Sequence, residues 1–573
     1  MKLKTQLKSL AFLYNIFSNG GCILPSDKPL FPPDNSSSFA EALPEQEGIR
    51  SSGLLDMFTA LSADRHINPH SAIILRNGKL IAKADWSPYT SALPHVSHSL
   101  AKSVTSMAVG IAIKEKYLSL DETLSDIFGK TDKKIGSITV ENLLTMSSGV
   151  TFNEASSLLS RNWVEGFLAS DMTFESGTTF HYNSMNSYML SAILCRKIGI
   201  SLSEYLSRRL FSPMGITRFH WEKCPSGIEK GGWGLYLSPF DYAKLGQLWL
   251  DKGKWNNVQL IPKAWIEIAS APHIAHQTLC SSGYGYQVWI GKHGSIFSGM
   301  FGQLVYIIPN RNMVIVLTAG SENLFPCSNA LKYIDQFLDN DDFFSNSPFT
   351  DFHYADTAAL RKSLSSARFG NPLDTSASNL FSRLKSLLPR KNTSPENILD
   401  GIEIELAENR AHILPVLIQV MDGCFGNGIE KAAFLLNDNK LHLRLTLNGD
   451  ITDIPIGFEM PFQFTYNGYA ISSQGFFTTD EDDLPVLKIQ LCFLESSCTK
   501  ILKFLFTDSG VTLKFRESPT LYSALDEASV LTKPQLGNTL RRTLEAVLES
   551  DIADYKIKSF IEPNIEGKYK LST

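Results

Sequence analysis

Cysteine is scarce in this chain, 8 residues in 573. Cys22, Cys195, Cys224, Cys280, Cys327, Cys424, Cys492 and Cys498 form no Cys-x-x-Cys pair, which argues against a zinc ribbon and a dithiol redox site. Buried, reduced thiols that pack as small hydrophobes are the expected state. Long apolar runs are missing too. None approaches the ~20 residues that a membrane-spanning helix needs. Charge of one sign is not in excess, since 53 Lys+Arg against 58 Asp+Glu leave −5. That balance gives no basic footprint for nucleic acid. The 12 histidines make no paired metal pattern. The acidic run Asp480-Glu481-Asp482-Asp483 lacks the glycine and ligand spacing of a calcium loop and reads as a solvated hairpin tip. No metal or cofactor is expected.

What is present is ordinary globular chemistry, 43% hydrophobic and 19% charged, which excludes a disordered, collagen-like or coiled-coil chain. Lys2, Lys4 and Lys8 before the apolar stretch Leu10–Phe17 loosely resemble a signal peptide, but no small-x-small cleavage site follows. A cytoplasmic location is the expectation, with secretion or envelope association as the alternative. The composition divides the chain into a leader at 1–45, a dense catalytic domain at 46–345, a linker with short helices around Leu360 and Leu384 at 346–400, a β domain at 401–520, and a charged helical tail at 521–573.

Periodicity supplies the elements. Ser71–Leu75, Asn77-Gly78 and Leu80–Ala82 read as a hairpin with a tight Asn-Gly turn. Leu304–Ile308 and Met313–Leu317 read as a second hairpin. Three- and four-residue spacing predicts helices over Ser99–Lys116, Tyr188–Ile198 and Tyr242–Leu250. Helices between two hairpins indicate an antiparallel sheet in an α+β domain. In the β domain, Leu441, Leu443, Leu445 and Leu447 alternate with polar residues, as do Leu487, Ile489, Leu491 and Phe493, and Val511, Leu513 and Phe515, which is the pattern of strands with one buried face.

The first chemical candidate is Ser99-Leu100-Ala101-Lys102. Side chains at i and i+3 share a helix face, and a lysine whose charged form is disfavoured by burial can take a serine proton. The pattern itself is weak. It occurs three times, at Ser99/Lys102, Ser382/Lys385 and Ser497/Lys500, and about two chance matches are expected at average composition. Only Ser99 opens a long apolar helix after a hairpin, and even there a helix-capping serine is the commoner meaning. Two further segments add to it. Tyr182, in Thr179-Phe180-His181-Tyr182-Asn183-Ser184, stands at a loop-to-helix junction, where a phenol can shuttle a proton or simply pack. In Phe297-Ser298-Gly299-Met300-Phe301-Gly302-Gln303, glycine permits close backbone approach, and the Met300 and Ser99 N–H groups would suit an oxyanion hole. His98 is open to a pocket-lining, supporting or surface role.

From about Pro44 to Asn323 the chain resembles the serine β-lactamase and penicillin-binding-protein-like superfamily, in its class C β-lactamase-related branch. His98–Ser106 is similar to that branch's nucleophile helix. Ile138–Gly149, with Leu143-Leu144-Thr145-Met146-Ser147-Ser148-Gly149, resembles its second long segment, and Gly232–Gly246 its third. The resemblance implies a β-lactamase-like fold, an antiparallel sheet flanked by helices plus an all-helical subdomain, with a mostly-β C-terminal domain appended. It also implies Ser99 as acylated nucleophile, Lys102 as base and Tyr182 as proton relay, with Ser184, Ser298, Gly299 and Met300 lining the site.

Two positions depart from the family pattern. Tyr182 is followed by Asn183 and Ser184 where Tyr-x-Asn is frequent, and Phe297-Ser298-Gly299 stands where Lys-Thr-Gly or His-x-Gly is frequent. The missing cation removes a point charge that would hold a substrate carboxylate. The Phe297-Ser298-Gly299 form, followed by Gly302-Gln303, resembles the esterase and 6-aminohexanoate-oligomer hydrolase members, and that resemblance implies a serine hydrolase acting on a small ester or amide. A D-amino-acid peptidase or carboxypeptidase, and a β-lactamase-like binding or sensor module without turnover, are the alternatives.

Overall fold

The computed structural model describes residues 26–570 except 37–38, 130, 158–159, 275–281, 323–328, 351–353, 369–394, 423–425, 427, 439, 482–483 and 521–561. It divides into two compact units. One holds residues 31–369; the other holds 26–30 with the described residues beyond 394.

The first unit is built on an antiparallel sheet of seven strands. Its strands are β1 (Pro69–Arg76), β2 (Lys79–Asp85), β8 (Gly283–Tyr284), β9 (Trp289–Ile290), β10 (Ser295–Gly299), β11 (Gln303–Ile308) and β12 (Met313–Ala319), in the order β2-β1-β12-β11-β10-β9-β8. Three short strands, β3 (His95–Val96), β4 (His220–Trp221) and β5 (Leu235–Leu237), make a separate sheet, and β6 (Lys254–Trp255) pairs with β7 (Val258–Gln259). The expected hairpins are present. Asn77 and Gly78 take φ of 52° and 73°, the two positive angles that a type I′ turn requires.

Every residue of β1, β11 and β12 is buried, because helices cover both faces. Helix α1 (Ser51–Ala63) presents Leu54, Met57, Phe58 and Leu61 at helical spacing, and joins Ile74, Ile315 and Tyr306 in one apolar core with Ala330, Leu331 and Ile334 from the helix Asn329–Asp339. The helix Pro239–Leu250 covers the opposite side chains. A Cβ at Gly246 would stand 2.6 Å from Val314 and 2.8 Å from Val305, so the glycine sets how closely helix and sheet pack.

Helix α2 (Ala101–Lys114) is buried from Ala101 to Ala112, and α3 (Ser184–Ile198) from Ser184 to Leu194. Both are therefore core helices rather than surface ones. The sequence places the start of α3 at Tyr188, four residues late. Asn183 supplies the missing start signal, its carboxamide oxygen accepting from the Met185 N–H at 2.9 Å, as an N-cap does.

The second unit is an antiparallel sheet of ten strands, β13 (Ile402–Leu406), β14 (Lys431–Asn437), β15 (Lys440–Leu447), β16 (Asp450–Ile456), β17 (Phe462–Tyr466), β18 (Tyr469–Thr479), β19 (Pro485–Phe493), β20 (Thr499–Phe506), β21 (Val511–Ser518) and β22 (Asn564–Lys570). Strand order is β16-β15-β14-β13-β22-β21-β20-β19-β18-β17. The Gly475 N–H donates to the Gly457 carbonyl at 2.8 Å, bringing the ends together in a barrel-like form. Leu441, Leu443, Leu445 and Leu447 are buried and alternate with half-buried neighbours, as the pattern predicts. Part of the expected leader is structural here: Lys28 donates to Glu495 at 2.7 Å in a buried ion pair.

The tail at 521–573 needs correcting. Its described part is not helical. Asn564–Lys570 is strand β22, paired with β13 on one side and β21 on the other. Ile565 is buried between the exposed Asn564 and Glu566, an alternation too short to stand out in a charged stretch. Of the short helices expected in the linker, Tyr354–Ser365 carries Leu360, while Leu384 lies outside the described residues. Cys195, Cys224 and Cys498 are free thiols, and burial pushes Cys498 up to about 12. Cys22, Cys280, Cys327 and Cys424 lie outside the described residues. No helix among the described residues is long and apolar enough to cross a membrane.

Candidate active site

Ser99 does not begin the helix that its spacing predicts. It sits in a 3₁₀ turn, His98–Leu100, and α2 starts at Ala101 with Leu100 as N-cap. No side-chain capping hydrogen bond is made at either start, so the hydroxyl is not used as a cap. The preceding residue is strained: His98 has φ of 45°, a region that non-glycine residues rarely adopt. Two contacts hold the turn. The Ser97 N–H donates to the Leu235 carbonyl on β5 at 2.7 Å, and the His98 ring meets Phe301 edge-on, with centroids 5.4 Å apart. Burial pushes His98 down to about 3, so its imidazole is neutral.

Lys102 lies one turn along, buried to 2% exposure. Its Nζ is 2.9 Å from Ser99 Oγ, 2.9 Å from Ser184 Oγ and 2.8 Å from the Gly232 carbonyl oxygen. Burial lowers the lysine to about 7, with Glu154 acting in the opposite direction in smaller part. An ammonium has lost most of its hydration there.

Tyr182 closes another side. Its ring centroid is 5.0 Å from Lys102 Nζ, and the ring stacks on Trp289 at 5.6 Å. Burial raises the phenol well above its ordinary range, and a hydrogen bond with Ser99 lowers it in smaller part. Thus Ser99, Lys102, Tyr182 and Ser184, which are up to 85 residues apart in sequence, are brought together.

The end of β10 passes directly over the 3₁₀ turn His98–Leu100. A Cβ on Gly299 would lie 2.1 Å from the Ser97 carbonyl and 3.2 Å from the Leu100 nitrogen. Ser298 is buried and pairs with Leu304. Met300 follows in the tight turn Met300–Gly302. That turn is held by Gln303, whose carboxamide nitrogen donates to the carbonyls of Met300, Phe301 and Ala319 at 3.1, 3.2 and 2.7 Å. Phe297 faces the core, edge-on to Trp249 at 5.2 Å. Replacing Gly299 with valine should push β10 off the turn. The expected result is a fall in kcat/KM of about 10²–10³, the size of a lost oxyanion donor, with a folded circular-dichroism spectrum. Wild-type kinetics in this variant would contradict the close approach.

Sequence reasoning missed three site residues. Gly232 was noted only within a longer segment, yet its carbonyl reaches Lys102, and a Cβ there would stand 2.9 Å from the Ser184 carbonyl. Adjacent glycines at 231 and 232 were the available signal for such an approach. Glu154 accepts the Ser184 N–H at 2.8 Å, and nothing in its sequence context marks it. Gln287 links three segments: its carbonyl accepts from Ser103 Oγ at 2.8 Å, its carboxamide nitrogen donates to the Leu143 and Leu144 carbonyls, and its oxygen accepts from Ser187. The rival Ser497/Lys500 pair is excluded by its surroundings. Lys500 lies on strand β20, buried in an ion pair with Glu517 at 2.7 Å. Ser382/Lys385 lies outside the described residues.

The Beta-lactamase family profile matches residues 54–331. An uncharacterized protein of Alkalihalophilus pseudofirmus is 21% identical over 290 residues, spanning 43% of this chain and 82% of that protein. Among solved structures, one named as a 6-aminohexanoate-dimer hydrolase from Bacillus anthracis is 22% identical over 57% of this chain and 92% of its own, with a TM-score of 0.45. A penicillin-binding-protein homologue from Pyrococcus abyssi is 16% identical over 81% and 99%, with a TM-score of 0.38.

Proposed function

We propose that residues 54–331, which belong to the beta-lactamase family, form a serine hydrolase that cleaves a small ester or amide through an acyl-Ser99 intermediate. The observation that carries this reading is the buried Lys102 Nζ at 2.9 Å from Ser99 Oγ. The Gly232 carbonyl can only accept, so it takes one lysine N–H. Ser184 Oγ takes a second. A neutral amine then has one lone pair left, directed at the Ser99 hydroxyl proton.

Attack follows directly. Lys102 takes the proton as Ser99 Oγ bonds to the substrate carbonyl carbon. The Ser99 and Met300 N–H groups hold the developing oxyanion. The proton returns to the leaving alcohol or amine, with Tyr182 as relay. Water, deprotonated by the same base, then releases the acyl group and restores Ser99.

Substrate class follows from charge. Phe297 occupies the position where the family pattern often has a cation, and packs against Trp249. Glu154 adds a carboxylate beside Ser184. Both features disfavour a substrate carboxylate and favour neutral acyl groups. The test compares p-nitrophenyl butyrate and a neutral acyl anilide with an acylated D-Ala-D-Ala peptide. The expected kcat/KM is higher for the neutral substrates than for the peptide by about 10–100-fold, the worth of one charge-assisted contact. Preference for the D-Ala-D-Ala peptide would instead indicate a carboxypeptidase. Turnover of none of them, with no adduct, would indicate a binding module.

A further inference from the structure

The first turn of α3 connects the reaction centre to Glu154, the first residue of the short helix Glu154–Ser157. Ser184 is the first residue of α3, and its two polar groups point to different partners. Its Oγ accepts from Lys102 Nζ at 2.9 Å, and its backbone N–H donates to Glu154 Oε1 at 2.8 Å. Asn183, beside it, ties the same turn to the Glu154 loop by donating to the Val150 and Phe152 carbonyls at 3.2 and 2.9 Å. Glu154 is exposed, while Lys102 is buried. The chain of contacts is short, carboxylate to N–H and, across a single serine, hydroxyl to ammonium. It keeps the Glu154 carboxylate within on the order of 9 Å of Nζ.

We propose that Glu154 is a positioning residue for acyl transfer: it fixes the Ser184 hydroxyl that receives a Lys102 N–H, and its negative charge sets the pH at which Lys102 can take the Ser99 proton. The inference rests on the hydrolase reading above. The groups facing Lys102 are few. Ser99, Ser184 and the Gly232 carbonyl are neutral hydrogen-bond partners, Tyr182 presents its ring face, and His98 is a neutral imidazole. Glu222 and Lys230 are joined in their own ion pair at 2.7 Å, and His181, which Glu154 also acts on, is lowered by burial. Glu154 is therefore the charge whose removal Lys102 would register, with its field partly screened because the carboxylate is exposed.

The sign is fixed. A carboxylate favours the ammonium over the neutral amine. Without it, Lys102 becomes neutral at lower pH, and the acid limb of the activity profile moves down.

The test is the pH dependence of kcat/KM for p-nitrophenyl butyrate with wild type, Glu154→Gln and Glu154→Asp. The expected result is an acid limb displaced downward by about half a pH unit in the glutamine variant, with the limb in the aspartate variant held near the wild-type position. An unmoved limb in Glu154→Gln, whether activity is preserved or uniformly reduced, would overturn the proposal and leave Glu154 as a structural cap. Wild-type turnover with a limb that the variant does not move defeats this inference only; absence of wild-type turnover defeats the hydrolase reading and this inference with it. Should Glu154→Gln fail to fold, Glu154→Ser, read by the pH dependence of fluorophosphonate labelling, gives the same two outcomes.

Discussion

Replacing Ser99 with alanine should lower kcat/KM for a neutral ester by about 10⁴–10⁶, the range seen when a nucleophile that works as part of a unit is removed. Its hydroxyl is the atom to which Lys102 and Tyr182 both turn. Stability should change little. Ser99 is in a 3₁₀ turn and caps no helix, and Lys102 keeps Ser184 Oγ and the Gly232 carbonyl as partners. Loss of one buried hydrogen bond costs roughly 0.5–1.5 kcal/mol. Steady-state kinetics together with thermal unfolding separate the two effects. Near-native turnover would mean that another residue is acylated, and collapse of the fold would mean that the hydroxyl is structural.

Lys102→Met carries the second largest expected effect, a loss of about 10²–10⁴ in the acylation rate, as for removal of a general base. Methionine fills a similar volume without N–H donors. It leaves the Gly232 carbonyl and Ser184 Oγ unpaired, but it also removes a buried ammonium. The distinguishing readout is pH. Burial lowers Lys102 to about 7. Below that value it is charged and cannot accept a proton; above it the neutral amine can. Wild-type acylation should therefore rise as pH rises through about 7, and this limb should vanish in the methionine variant. Residual activity with the limb intact would assign the base to another group.

The secondary structure of the first unit was readable because its signals are local. Asn77-Gly78 specifies its own turn, and the apolar spacing of Val104, Met107, Ala108 and Ile111 specifies a buried helix. Context separated Ser99 and Lys102 from two equivalent patterns, and the family resemblance, not the context, pointed from there to chemistry; Lys500, in the same four-residue pattern, is held on a strand by Glu517. Other features were invisible for a physical reason. Gly232 and Glu154 touch the site only because segments 130 and 30 residues away fold back on it. Gln287 joins loops whose approach no periodicity encodes. The 3₁₀ turn at Ser99 depends on β5 and Phe301 gripping residues 97 and 98, whereas sequence spacing runs smoothly into the helix. Strand β22 has one deeply buried apolar side chain, Ile565, and becomes a strand because β13 and β21 flank it.

The central claim is that Ser99 is an activated nucleophile. The most direct measurement is intact mass after incubation with a fluorophosphonate, for wild type and Ser99→Ala. The account predicts one adduct on the wild type and none on the variant. No adduct on the wild type, or an equal adduct on both, would contradict it.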